Sequence, residues 1–165
     1  MQRRTILLAG ASAFLLAGCG FELRRAPEFP FKTIHLAGAE RSPLLVELRR
    51  SIASTGAVEV VDGRVPGQAQ VTLDVLTEQR EKVVVGLGTT GQVREFQLRV
   101  RFKFRLRNAE GTEIIAPVEL LQQRDISYSE SAALAKEAEE LLLYRNMQSD
   151  IVQQTMRRLA AVKGI

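Results

Sequence analysis

The segment LRVRFKFRLR, residues 98–107, decides the fold because its apolar and basic side chains alternate without a break. A period of two is that of a β-strand, in which successive side chains point to opposite faces of a sheet. One face is apolar, is predicted to pack against helices, and consists of Leu98, Val100, Phe102, Phe104 and Leu106. The other face, which we call the basic ladder, has a charge about every 7 Å and consists of Arg99, Arg101, Lys103, Arg105 and Arg107.

Five like charges in one row repel each other, so the basic ladder needs counter-charges. One explanation is cross-strand pairing with carboxylates, in which each exposed pair contributes at most about 1 kcal/mol. The candidate carboxylates on the neighbouring strands are Asp74, Glu78, Glu119 and Asp125. The other explanation is an anionic ligand or an acidic partner surface that covers the ladder. Both explanations apply if the ladder has more positive charge than the neighbouring carboxylates neutralise.

The segments around the ladder predict a series of long antiparallel strands. Residues 69–85 begin with alternating side chains and end in an apolar run, and residues 118–128 form a further strand. The glycine-rich loop at 86–91 and a turn at 108–111 connect these strands to the ladder strand, residues 92–107. The loop lacks the GxxxxGK[ST] pattern and precedes a strand, so it is not a phosphate-binding loop.

Two amphipathic helices flank these strands in the sequence. Ser42 and Pro43 are typical of an N-cap and a first helical position, and Gly56 of a helix end. The apolar face of this first helix consists of Leu44, Leu45, Leu48 and Ile52. A second helix is predicted from Ser131 to residue 162. Its apolar face consists of Leu134, Leu141, Tyr144, Met147, Ile151, Leu159 and Val162.

Short strands at 33–37 and 58–61 complete the order strand, helix, strand, three strands, helix. Two helices on one face of a mostly antiparallel mixed sheet bury both apolar faces at once. The sequence therefore predicts an α+β domain, built as a two-layer sandwich.

The N-terminus has the pattern of a signal peptide. Two arginines precede an apolar run at 6–17, which is shorter than the ~20 residues of a membrane span. The end of this run and the two residues after it, Leu16 to Cys19, look like a bacterial lipobox, which implies cleavage before Cys19 and its acylation. The alternative is an ordinary secretory signal with a chance cysteine. We predict a signal peptide at 1–18, a lipidated tether at 19–31 and one domain at 32–165.

Composition argues against several function classes. Loss of residues 1–18 removes two arginines and lowers the formal charge from +4 to +2, so nucleic acid is not an expected partner. His35 is the only histidine and Cys19 the only cysteine, so no disulfide within the chain and no Cys/His metal cluster is expected. We expect no enzyme activity and no cofactor apart from the covalent lipid on Cys19.

Four stretches in this order carry a resemblance to a known family. They are Cys19-Gly20-Phe21-Glu22-Leu23-Arg24, Gly91-Gln92-Val93-Arg94-Glu95-Phe96-Gln97, Ala133-Leu134-Ala135-Lys136-Glu137 and the segment from Asn146 to Gln154. Together they resemble the LPS-assembly lipoprotein (LptE) family, of the β-proteobacterial type.

The resemblance implies a function. Members of this family bind lipopolysaccharide, do no covalent chemistry on it, and form a one-to-one complex with the outer-membrane β-barrel LptD, whose lumen they plug. Gly20 after the cysteine, rather than Asp, implies sorting to the outer membrane. The alternative is a stand-alone periplasm-facing lipoprotein that binds lipid or assists a transporter.

The resemblance also implies two lipopolysaccharide-binding residues. Lys136 matches a basic position of the family, although a surface lysine that pairs with Glu140 at i+4 explains it equally well. The family's basic residue in the hairpin loop is replaced here by Thr89, and Arg94 is the candidate substitute.

Overall fold

The computed structural model describes residues 28–39, 41–62 and 68–163. The strands are β1 (Thr33–Ala37), β2 (Glu59–Val61), β3 (Val71–Leu87), β4 (Val93–Asn108) and β5 (Glu113–Ser127). The helices are α1 (Pro43–Ala53) and α2 (Ala133–Ala160), and a 3-10 turn at Glu130–Ala132 precedes α2. The predicted signal peptide and the acylation site Cys19 lie outside the described residues.

The five strands form one mixed sheet in the order β2-β1-β3-β4-β5. β1 is parallel to β2 and to β3, whereas β3, β4 and β5 are antiparallel neighbours. At what we call the lower end of the sheet, Val71 pairs with Ile34 on one side and with Asn108 on the other. The β3–β4 turn and the start of α2 lie at the opposite, upper end. The predicted two-layer α+β architecture is confirmed.

The apolar face of β4 forms the centre of the core, as predicted. Leu98, Phe102, Phe104 and Leu106 are fully buried, and each contributes about 1.5–3 kcal/mol by leaving water. The apolar face of α1 is buried in the same core cluster, and Ser42 caps this helix by accepting the Leu45 N–H at 3.0 Å.

The end of the predicted tether also belongs to the core. Phe29 and Phe31 are 8% and 2% exposed, and their rings lie 5.5 Å apart. The packed domain therefore includes residues before 32.

Two sequence predictions were wrong. β5 begins at Glu113 instead of 118 and runs through Pro117, which is tolerated because β5 is an edge strand. Leu134 and Leu141 were assigned to the apolar face of the second helix, but they are 83% and 60% exposed. β1 pairs with β3 only as far as Ala37, so the upper half of α2 lies over a narrower sheet with less surface to pack against.

A β-bulge in β3 determines which side chains lie under α2. Val75 pairs with Phe104, but Thr77 pairs with Lys103, so Leu76 is an extra residue. Beyond it the faces of β3 exchange, and Arg80 lies opposite Val100 on the helix-covered side. The upper part of α2 therefore covers polar side chains instead of an apolar strip.

Candidate functional site

The lower half of the basic ladder is neutralised by carboxylates across the strands. Asp74 Oδ2 accepts from Arg107 Nε at 2.5 Å and from Arg105 Nε at 2.8 Å. Glu113 Oε1 also accepts from Arg105, at 3.1 Å. The Arg107 hydrogen bond is the largest cause of a lowered Asp74 pKa, with Arg105 adding to it and burial opposing it. The same contacts with Asp74 raise the pKa of both guanidinium groups.

The upper half of the ladder is paired less completely. Arg101 Nη1 lies 2.9 Å from Glu119 Oε1, and Arg99 Nη1 lies 3.9 Å from Glu81 Oε2. Lys103 makes no ion pair within the described part of the chain. Lys103 is therefore the ladder residue with charge to spare for a ligand or partner.

The pairing explanation for the ladder is confirmed for Asp74 and Glu119 and was wrong for two other carboxylates. The bulge turns Glu78 to the helix side, where it accepts from Ser42 Oγ at 2.5 Å. Asp125 accepts from the amide of Gln97 at 3.0 Å instead of from an arginine. Glu81 and Glu113 were missed because the bulge and the early start of β5 decide their positions.

A cavity of about 150 Å³ lies at the upper end, between the β4 and β5 ends and the first turns of α2. We call it the lysine pocket, because Lys82 and Lys136 both line it. Its walls include the rings of Phe96 and Tyr128, which meet edge to face with centroids 5.3 Å apart. The pocket thus combines two ammonium groups with an aromatic wall.

Each lysine of the pocket has a carboxylate partner on α2. Lys82 Nζ lies 2.6 Å from Glu140 Oε2 and 4.4 Å from the centre of the Phe96 ring. Lys136 Nζ donates to Ser127 Oγ at 3.0 Å and to Glu139 Oε2 at 2.9 Å. The predicted i+4 pairing of Lys136 with Glu140 was therefore wrong, and the i+3 neighbour takes its place.

Arg94 lies next to this pocket. Its carbonyl accepts the Tyr128 N–H at 2.7 Å, and its side chain lines a second cavity of about 260 Å³ that also contacts Tyr128. When the Gln92 side-chain amide is oriented with its oxygen toward Arg94, Arg94 Nη2 donates to that oxygen at 2.7 Å. The structure therefore brings Arg94 and Lys136, the two residues predicted from the sequence, to one end of the sheet. Thr89 is exposed in the adjoining turn.

Lys82 is the pocket residue that sequence reasoning missed. Its position on the helix side depends on the bulge at Leu76, which leaves no pattern in the sequence. Phe96 belongs to the segment from Gly91 to Gln97, but its place in that segment did not predict that its ring forms a pocket wall. Among residues 28–39, 41–62 and 68–163, no group of three metal-ligating side chains occurs. His35 lies 3.3 Å from the Val61 carbonyl oxygen, a structural contact.

Within those same ranges, no helix is long and apolar enough to cross a membrane.

Comparisons with known proteins agree on one family. Residues 31–159 match the family described as LptE, lipopolysaccharide-assembly. A protein of Pectobacterium atrosepticum named LPS-assembly lipoprotein LptE is 26% identical over 165 residues, which cover 99% of this chain and 88% of the relative. A protein of the same name from Photorhabdus laumondii is 25% identical over 167 residues, which cover 98% and 88%.

Solved lipoprotein structures have the same fold. The uncharacterized lipoprotein B of Nitrosomonas europaea superposes with a TM-score of 0.75 at 31% identity, covering 86% of this chain and 91% of that one. The rare lipoprotein B of Shewanella oneidensis gives a TM-score of 0.61 at 26% identity, covering 77% and 95%.

Proposed function

This chain belongs to the LptE family of lipopolysaccharide-assembly lipoproteins, and from that membership we propose that it is the lipoprotein subunit of the outer-membrane lipopolysaccharide translocon. In this role it forms a one-to-one complex with the β-barrel LptD, occupies the barrel lumen as a plug, and binds lipopolysaccharide during its transfer to the cell surface. The family is non-enzymatic, so the prediction that this chain is not an enzyme is confirmed.

The lysine pocket is the observation that best supports the proposed binding of lipopolysaccharide. Phosphate groups on the lipid need cationic hydrogen-bond donors, which Lys136 and Lys82 supply from two sides. The Phe96 and Tyr128 rings provide apolar area beside those donors, as an amphipathic ligand requires. Arg94 adds an exposed guanidinium on the other side of Tyr128.

An anionic ligand must compete with the pocket's own carboxylates. Glu139 and Glu140 already neutralise the two lysines, and Glu137 also lines the pocket, so a phosphate gains only the difference between its attraction to the lysines and the opposing effect of these carboxylates. Both ion pairs are partly exposed, with lysine exposures of 23% and 37%, and such pairs are worth about 1 kcal/mol or less. A phosphate with more charge than one carboxylate displaces them without disturbing the core.

The open face of the sheet supports docking in a barrel lumen. Both described helices cover the opposite face, so the basic ladder and its carboxylates remain at the surface. The lumen of a membrane β-barrel is polar, and a plug matches it with charged side chains. In this proposal, Lys103 and the more weakly paired Arg99 contact LptD.

Acylation at Cys19 supplies the membrane anchor of the proposal. Anchoring by lipid is stable when more than one chain is attached, at about 0.8 kcal/mol for each buried CH₂ group. With Gly20 as the next residue, we propose that the mature protein is held in the outer membrane.

Lipopolysaccharide binding by the purified protein tests the pocket. At matched ionic strength, Lys136→Glu combined with Arg94→Glu is expected to weaken binding about tenfold or more, since two charge-assisted contacts become repulsive. Arg41→Glu with Arg145→Glu changes the net charge equally at exposed positions away from the pocket and is the matched control. Equal affinities for the two double variants would exclude Lys136 and Arg94 as ligands.

A further inference from the structure

The lower ends of both helices carry paired arginines. α1 has Arg49 and Arg50 near its end, and α2 has Arg157 and Arg158 in its last turn. All four side chains are exposed, and none makes an ion pair within the described ranges. A helix C-terminus favours a cation by about 0.3–1 kcal/mol, which explains one arginine on each helix but does not require two.

The charge at this end of the helical layer has one sign. Residues 48–58 and 151–163 contain no Asp or Glu, and Lys163 follows α2 as a further exposed cation. We call Arg49, Arg50, Arg157, Arg158 and Lys163 the basic end. Acidic residues at the same end lie in the sheet, its turns and the entering chain, namely Glu28, Glu59, Glu110 and Glu113, and Glu113 is paired with Arg105.

The two helices bring these cations to the same end because they run in parallel. Gln148, midway along α2, donates to the Pro43 carbonyl at 3.2 Å and to Glu47 Oε2 at 2.6 Å, which aligns it with the first turns of α1. From that level each helix continues for about ten residues, or ~15 Å, before it ends.

The chain enters the domain at this same end. Thr33 pairs with Glu59, the Lys32 N–H donates to Gln70 Oε1 at 2.6 Å, and Phe29 is buried just before them. Nine residues, 20–28, separate Phe29 from Cys19. A chain of that length spans at most about 30–35 Å, so an acyl anchor on Cys19 keeps the basic end close to the membrane surface.

We propose that the basic end docks on anionic phospholipid headgroups of the leaflet that holds the acylated Cys19. The inference goes beyond the proposed function and relies on it only for the acyl anchor. A cation near an anionic membrane surface strengthens binding about fivefold, and the attraction acts only within about 8 Å at physiological ionic strength. Docking in this way orients the domain. α2, which is about 42 Å long, then places the lysine pocket at the end of the domain far from that leaflet.

Vesicle binding by the mature chain with Cys19→Ala tests the proposal without the acyl anchor. This substitution changes none of the residues that the structure describes. Vesicles contain phosphatidylcholine alone or phosphatidylcholine with phosphatidylglycerol, and bound protein is measured by sedimentation at physiological ionic strength. The Cys19→Ala chain without further substitutions is expected to bind only the anionic vesicles. Arg157→Gln with Arg158→Gln is expected to weaken that binding about 25-fold, and Arg49→Gln with Arg50→Gln by a similar factor.

Arg41→Gln with Arg145→Gln removes the same charge from the helical layer away from the basic end and is expected to weaken binding less than about threefold. Equal losses in this control and in Arg157→Gln with Arg158→Gln would overturn a localised docking surface. Equal binding to neutral and anionic vesicles, or no binding to either, would overturn it as well. Lipopolysaccharide binding measured on the same variants separates this result from the proposed function, because the lysine pocket is unchanged in all of them.

Discussion

Arg107 holds Asp74 through both ends of its guanidinium group: Nε donates to Oδ2 at 2.5 Å and Nη2 donates to Oδ1 at 2.8 Å. The Asp74 side chain is 14% exposed, whereas the arginine is 33% exposed. A second arginine, Arg105, shares the same carboxylate. One carboxylate on β3 therefore neutralises two neighbouring charges of the ladder, which accounts for a row of cations on a stable strand.

Replacement of this carboxylate tests its contribution to stability. Asp74→Asn is expected to lower the free energy of unfolding by about 1–2 kcal/mol at neutral pH. The charge-assisted hydrogen bonds are lost, and Arg105 and Arg107 then repel each other without a shared carboxylate between them. Urea denaturation followed by circular dichroism measures the change. Asp150→Asn is the control, since its ion pair with Arg124 is about half exposed and its loss is expected to cost less than about 0.5 kcal/mol.

The same pair predicts a pH dependence. The pKa of Asp74 is lowered from its ordinary 3.8, so the folded protein binds this proton less readily than the unfolded chain. The stabilisation is complete above the unfolded pKa and is lost as pH falls through the lowered value. The difference in unfolding free energy between wild type and Asp74→Asn is expected to be constant above about pH 5 and to shrink below it. A difference that is the same at every pH would contradict the assignment.

The two halves of α2 are expected to respond differently to truncation. Ile151→Ala should lower the free energy of unfolding by about 2–5 kcal/mol, because this side chain is fully buried. Leu141→Ala should change it by less than about 0.5 kcal/mol, because Leu141 is 60% exposed. Thermal and urea denaturation of the two variants compare them directly, and similar losses would show that the upper half of α2 also packs in a core.

This contrast marks the limit of what periodicity reveals. The alternation in β4 correctly assigned both faces of that strand because a strand has one period and this one is paired on both sides. The periodicity of α2 correctly identified a helix but not how far the core extends beneath it. That extent depends on where β1 stops, at Ala37, and the sequence of α2 contains no information about that position.

The candidate site was predictable to a similar degree. Lys136 and Arg94 came from motif positions, and the fold brings them to one end. The bulge at Leu76 places Lys82 in the pocket and turns Glu78 away from the ladder. An inserted residue of this kind changes every face assignment that follows it in the strand, and the sequence of β3 alone does not locate it.

The carboxylates of the lysine pocket supply a further prediction with the opposite sign. Glu140→Gln removes the partner of Lys82 at 2.6 Å and is expected to tighten lipopolysaccharide binding about two- to fivefold, since the phosphate no longer competes with a charge. Glu110→Gln, in the turn at the lower end, removes an equal charge far from the pocket and is expected to have no effect. Titration calorimetry with lipopolysaccharide measures both. Weaker binding by Glu140→Gln would mean that this carboxylate positions Lys82 for the ligand instead of competing with it.

The central claim is that this lipoprotein is a subunit of the lipopolysaccharide translocon. The most direct measurement is to extract a tagged copy from outer membranes in mild detergent and to identify and quantify every protein that co-purifies by mass spectrometry. We predict a large β-barrel at one-to-one stoichiometry, together with an acylated Cys19. Recovery of the acylated lipoprotein without any barrel would contradict the claim and would favour a stand-alone lipid-binding lipoprotein.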